Sequence, residues 1–175
     1  MEHATADDLA AGLDEVRRSP SDAGTVDLIV RRPAEGEREV VDEAALDLND
    51  GLVGDRWRSA NPDTQLTLMN ARVIALVARD RERWALAGDQ LYVDLDLSPE
   101  NLPPGTRLAV GSAVIEVTDE LHTGCKKFTE RFGHAAIRFV NSPGGRALRL
   151  RGMYARVVEP GIVRRGDTIR KLELG

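Results

Sequence analysis

The sequence predicts a mainly β fold with some helix, a mixed β-barrel with peripheral helices. Three observations carry this expectation. Short apolar runs alternate at period two along much of the chain. Two of them open on Pro-Gly and close on a glycine, as short barrel strands do. Strands also outnumber helices, without the regular strand–helix–strand order of a doubly wound sheet.

The elements follow in chain order. Leu9, Leu13 and Val16 recur at near-helical spacing, and Asp7 or Asp8 is available as a cap, so residues 1–20 read as an accessory helix ended by Ser19-Pro20-Ser21. A single domain is expected over residues 24–175. It begins with strand signals at Val26, Leu28 and Val30 and, past a charged turn around Gly36, at Val40 and Val41. Gln65 to Met69 alternates again, and Asn70 can cap a helix with Val73, Ile74, Leu76 and Val77 on one face, continuing past Trp84 toward Gly88. From Gln90 the alternation sets Leu91, Val93, Leu95 and Leu97 against Tyr92, Asp94, Asp96 and Ser98, which predicts one buried and one wet face. The two Pro-Gly units start at Pro104 and Pro160, Ala113–Thr118 and Met153–Val158 supply further strands, and Phe128, Phe132, Ile137, Phe139 and Val140 suggest one or two helices.

Composition narrows the function classes. The 175 residues suit one domain. Twenty-four basic against 29 acidic residues give a net charge of −5, so general attraction to nucleic acid or to an anionic membrane is not expected, and an anionic ligand must be caught by a local patch. No apolar run approaches the ~18 residues of a membrane span. A single cysteine, Cys125, rules out an internal disulfide and suits a cytoplasmic location.

The richest stretch for chemistry is His122-Thr123-Gly124-Cys125-Lys126-Lys127, where a strand gives way to a turn and a helix begins. A helix start and two lysines favour thiolate, which would make Cys125 a nucleophile or a soft metal ligand; the alternative is a buried cysteine acting as a small hydrophobe. A zinc site at His122 and Cys125 would have to be completed by His134 with carboxylates, since His3 lies in the terminus, and is disfavoured. Otherwise His122 orients a ligand or bonds within the turn. In Gly51-Leu52-Val53-Gly54-Asp55-Arg56-Trp57 the two glycines allow a tight turn, and Asp55-Arg56 sets an acceptor beside a planar cation suited to phosphate or a pterin edge; an Asp-capped turn with a surface arginine is the other reading. Ser142-Pro143-Gly144-Gly145-Arg146 is a turn or an anion cradle.

Taken together, the Gly51–Trp57 turn, Leu66-Thr67-Leu68-Met69, Pro104-Gly105 through Val110-Gly111 and the cysteine that follows Ala113–Thr118 resemble the MOSC domain family, over roughly Val26 to Leu172. The resemblance implies a β-rich barrel whose cysteine carries sulfur or ligates the molybdenum of a pyranopterin cofactor, and some family members reduce N-hydroxylated bases. Mapped here, it makes Cys125 the metal ligand or sulfur carrier and gathers Gly54, Asp55, Arg56, His122 and Lys126 around a molybdenum cofactor. The chain departs from the family pattern in having Gly124 where many relatives have proline. It reads Gly88-Asp89-Gln90-Leu91 where many have Arg-x-Asn-Leu, which loses a basic group. The expected function is molybdenum-cofactor-dependent reduction of a small N-hydroxylated molecule, served by an external electron donor. A persulfide carrier fed by a sulfur donor protein, and a non-catalytic module for small anions, are the alternatives.

Overall fold

The computed structural model describes residues 2–57 and 61–173, so the last two residues of the predicted domain lie outside it. Eleven strands and five α-helices are present among the described residues. The strands are β1 (Ala23–Arg31), β2 (Glu39–Val41), β3 (Glu43–Asp47), β4 (Gly51–Leu52), β5 (Leu66–Asn70), β6 (Leu91–Asp94), β7 (Arg107–Val110), β8 (Ala113–Val117), β9 (Met153–Glu159), β10 (Gly161–Arg164) and β11 (Thr168–Lys171). The helices are α1 (Ala6–Arg17), α2 (Ala71–Ala78), α3 (Lys126–Phe132), α4 (His134–Asn141) and α5 (Pro143–Ala147).

The strand order β11-β7-β8-β9-β5-β6-β1 closes on itself where β1 pairs with β11, giving a seven-strand mixed barrel as the alternation predicts. β2 hangs on β1 outside the closure, and β10, β3 and β4 form a small second sheet. Only β5 and β6 run parallel, because α2 and a 3-10 helix over Arg81–Ala87 carry the chain back between them. None of the described helices is long and apolar enough to cross a membrane.

Alternation along the strands builds two cores. Leu68, Leu91, Val93, Leu108, Ile115 and Ala155 point into the barrel, while Leu28, Val30, Met69 and Tyr92 point outward under the helices. β1 fits both because a register shift between Val26 and Leu28 returns Val26 and Ile29 to the inside. The predicted wet face of β6 is corrected here: Tyr92 is fully buried in the outer core beside Trp84, since the helices cover that side.

The helices are set by local signals. Thr5, rather than Asp7 or Asp8, is the N-cap of α1, and Asp8 completes a capping box with it from inside the helix. Leu9 and Val16 are buried in the outer core, and the His3 ring lies against Gly133. Asn70 caps α2 as expected, but that helix ends at Arg79, at φ 69°, and does not run on through Trp84. Ser142 accepts the Gly145 amide and opens α5, so the Pro-Gly-Gly segment is a short helix and not an open cradle.

The two glycines of α5 should separate in their tolerance. A Cβ at Gly145 would run into the Phe139 and Val140 carbonyl groups, whereas one at Gly144 meets open space. Gly145→Ala is expected to cost about 1–3 kcal/mol, and Gly144→Ala to be neutral or to gain up to about 1 kcal/mol, as read from denaturant midpoints.

Candidate functional site

Register decides which loops meet. Ile29 pairs with Leu91, Leu68 with both Leu91 and Met153, and Val117 with Ala155. The ends of β1 and β8 and the beginnings of β6 and β9 therefore share one mouth of the barrel. Their loops, with the turn after β4 and the start of α3, enclose a cleft of about 320 Å³, within the range of small-ligand sites.

Cys125 lines this cleft and is exposed, so the reading of a buried hydrophobic cysteine does not describe it. It opens α3, and the residue before it is held from two sides: Gly124 N donates to Asn141 Oδ1 at 2.8 Å and Gly124 O accepts from Asn141 Nδ2 at 3.2 Å. A Cβ at Gly124 would meet Ile137 Cδ1 of α4, so that side chain would have to turn aside. Among the described residues no three His, Cys, Asp or Glu side chains converge as metal donors. A metal at Cys125 would need its other ligands from a second molecule.

The floor of the cleft is a buried charge network. The Asp89 side chain is fully buried; Arg151 Nη1 donates to its Oδ2 at 2.5 Å, and His122 Nε2 lies 3.2 Å from its Oδ1. Burial alone would raise the Asp89 pKa, but the Arg151 charge and the His122 bond overcome it and hold the carboxyl below its ordinary value. The same pairing outweighs desolvation at Arg151, whose pKa lies above the arginine norm. Arg151 also donates to the Ala87 carbonyl and lies over the Phe128 ring at 5.0 Å. Arg151 thus reaches the Gly88–Leu91 loop from the far wall. His122 packs on Tyr154, with ring centroids 4.6 Å apart.

The rim is strongly cationic. Arg32, Arg38, Arg56, Lys127 and Arg131 line it beside two carboxylates, Glu35 and Glu37, and among the described residues the last four of these cations are in no ion pair. Arg38 Nε is buried with no hydrogen-bond partner. Burial and the charges of Arg131, Arg32 and Arg56 press the Arg38 pKa below its ordinary value. Four guanidinium groups crowded in this way attract a common anion. Trp57 is 37% exposed at the edge, with the Arg32 guanidinium 5.9 Å from its ring centre.

The structure brings His122, Cys125 and Arg56 together in the cleft. Gly54 and Asp55 stand behind it. Asp55 is turned inward, accepting from the Trp57 amide at 2.7 Å and from the Arg32 amide at 3.0 Å, so it is the capped turn that presents Arg56. A Cβ at Gly54, at φ 90°, would press on Arg31. Lys126 is exposed outside the lining, and Lys127 takes the inward place. Sequence reasoning did not find Arg38, Arg131, Arg151 or Tyr154. For Arg38, the signal available was a basic residue in the loop that follows a strand already predicted.

The MOSC domain family model matches residues 55–170. No curated protein matches the chain. Among solved structures the chain is similar in fold to the YuaD protein from Bacillus subtilis, at 17% identity and TM-score 0.64, covering 87% of this chain and 97% of that one. It is also similar to YiiM from Escherichia coli, at 23% identity and TM-score 0.58, covering 86% and 71%. A third likeness is YiiM from Geobacillus stearothermophilus, at 13% identity and TM-score 0.54, covering 87% and 74%.

Because the folded pKa of Asp89 is depressed, the stability it contributes is present above the ordinary carboxylate range and is lost as pH falls through its lowered value. Asp89→Ala leaves Arg151 buried and unpaired. It is expected to cost about 3–5 kcal/mol at neutral pH and to flatten the acid limb of stability below about pH 4, as measured by urea unfolding across that range.

Proposed function

Because the chain belongs to the MOSC domain family, we propose that its cleft holds a molybdenum cofactor, with Cys125 as the protein ligand to the metal, and that the loaded protein reduces N-hydroxylated compounds. One observation carries the reading: an exposed cysteine shares its cleft with four cations that have no carboxylate partner among the described residues. The donor set fits such a group. A thiolate suits a soft, sulfur-rich metal centre, and Arg38, whose Nε is buried without a partner, suits a phosphate.

When bound, the cofactor supplies a two-electron redox centre beside Cys125. The protein's own residues do the rest. Arg38, Arg56, Lys127 and Arg131 bind the anionic part. Asp55 holds Arg32 and the Trp57 turn in place, and the Gly124 clamp to Asn141 fixes where the thiol is presented. Electrons come from an external donor. The exposure of Cys125 also favours a second reading, in which it carries a persulfide that must be handed on.

Protein purified from cofactor-competent cells is expected to contain molybdenum and pterin and to reduce an N-hydroxylated base with an artificial electron donor. Cys125→Ser should abolish the reduction. Arg38→Ala should lower cofactor content by about tenfold, the worth of one charged hydrogen bond, while Tm stays level or rises because like-charge crowding is relieved. A one-sulfur mass increase after incubation with a sulfur donor and cysteine desulfurase, with no molybdenum in the protein, would replace this reading with the carrier.

A further inference from the structure

The bond between Asp89 and His122 leaves one ring nitrogen unused. Asp89 is a buried carboxylate and can only accept, so in the neutral ring the proton sits on His122 Nε2. Nδ1 makes no hydrogen bond among the described residues, yet it is not among the buried side-chain atoms left without a partner. It therefore keeps some accessible surface, and His122, whose side chain is 11% exposed, lines the cleft with Cys125. The ring is held in this pose. Tyr154 covers one face at 4.6 Å. Gly152 approaches so closely that a Cβ there would stand 3.3 Å from His122 Cδ2, and Arg151 pins Asp89 at 2.5 Å.

We propose that His122 is the proton-transfer residue of the cleft and Asp89 its positioning residue, with Nδ1 delivering a proton to the oxygen that leaves when a substrate N–O bond is reduced. The inference rests on the reductase reading above. Reduction of R–NH–OH would take two electrons, which the external donor and the bound cofactor would supply, together with two protons; the N–O bond breaks and R–NH2 and water form. The doubly protonated imidazole gives its Nδ1 proton to the departing hydroxyl, and solvent gives the second proton to nitrogen. His122 is left as the Nε2–H tautomer and regains a proton at Nδ1 from solvent. Asp89 stays ionised throughout and offsets the charge of the imidazolium.

Two measurements test this. In the cofactor-free full chain, imidazole 1H–15N correlation spectra should show neutral His122 as the Nε2–H tautomer. In Asp89→Asn, Arg151 claims the amide oxygen and turns the NH2 toward Nε2, so the ring should switch to Nδ1–H. In the loaded protein, His122→Gln and His122→Ala should keep the parent's molybdenum content but lose about 10²–10⁴-fold in turnover, and added imidazole should partly restore His122→Ala. A parent ring protonated at Nδ1, a His122→Gln variant as fast as the parent, or a loss explained by lost cofactor without imidazole rescue would each overturn the proposal. A loaded parent that reduces no N-hydroxylated compound would bring down the reductase reading and this inference with it, whereas an active parent with an equally active His122→Gln would bring down this inference alone.

Discussion

Three residue pairs between β1 and β11 hold the barrel shut: Ala23 with Arg170, Gly24 with Ile169 and Thr25 with Thr168. Everything that matters for the cleft depends on that closure. An open sheet would leave the backbone of both strands unpaired along its edges, and the inner side chains would lose their enclosure. Closure also fixes which strand ends face one another, and so brings Asp89, Arg151 and the loop that carries both His122 and Cys125 to one mouth from three separate segments of the chain. Gly24 makes the seam tight, because any side chain there would strike the Asp94 carbonyl of the strand on its other side.

Charge is distributed in two ways around this mouth. At depth, Asp89 and Arg151 neutralise one another at close range and gain rigidity from it. At the rim, five cations outnumber Glu35 and Glu37, and four of them are in no ion pair among the described residues, in a chain whose net charge is −5. The first arrangement costs desolvation that the pairing offsets. The second holds repulsion that an anion would relieve, which is the pattern of a site whose stability is subordinate to binding.

Much of this was legible in the sequence wherever the signal is local. The Pro-Gly units, the alternation of β5, β8 and β9, the Asn70 cap and the nearness of His122 to Cys125 are all written within a few residues. Tyr92 misled because alternation reports two faces without saying what covers the second; helices from elsewhere in the chain bury it. Arg151 left no trace, since its meaning lies in a partner 62 residues away. Asp55-Arg56 divided in a way that spacing alone cannot show: the carboxylate serves the turn and the guanidinium reaches the cleft.

The clamp between Gly124 and Asn141 spans 17 residues, whereas the bond between Asp89 and Arg151 spans 62. Loop closure costs more the longer the intervening chain, so the two halves of the cleft stand at different points in the order of assembly. The cysteine loop can settle against its helix as a local event. The charge network at the floor waits for distant segments to meet. The full constellation around the thiol exists only when those long-range contacts have formed.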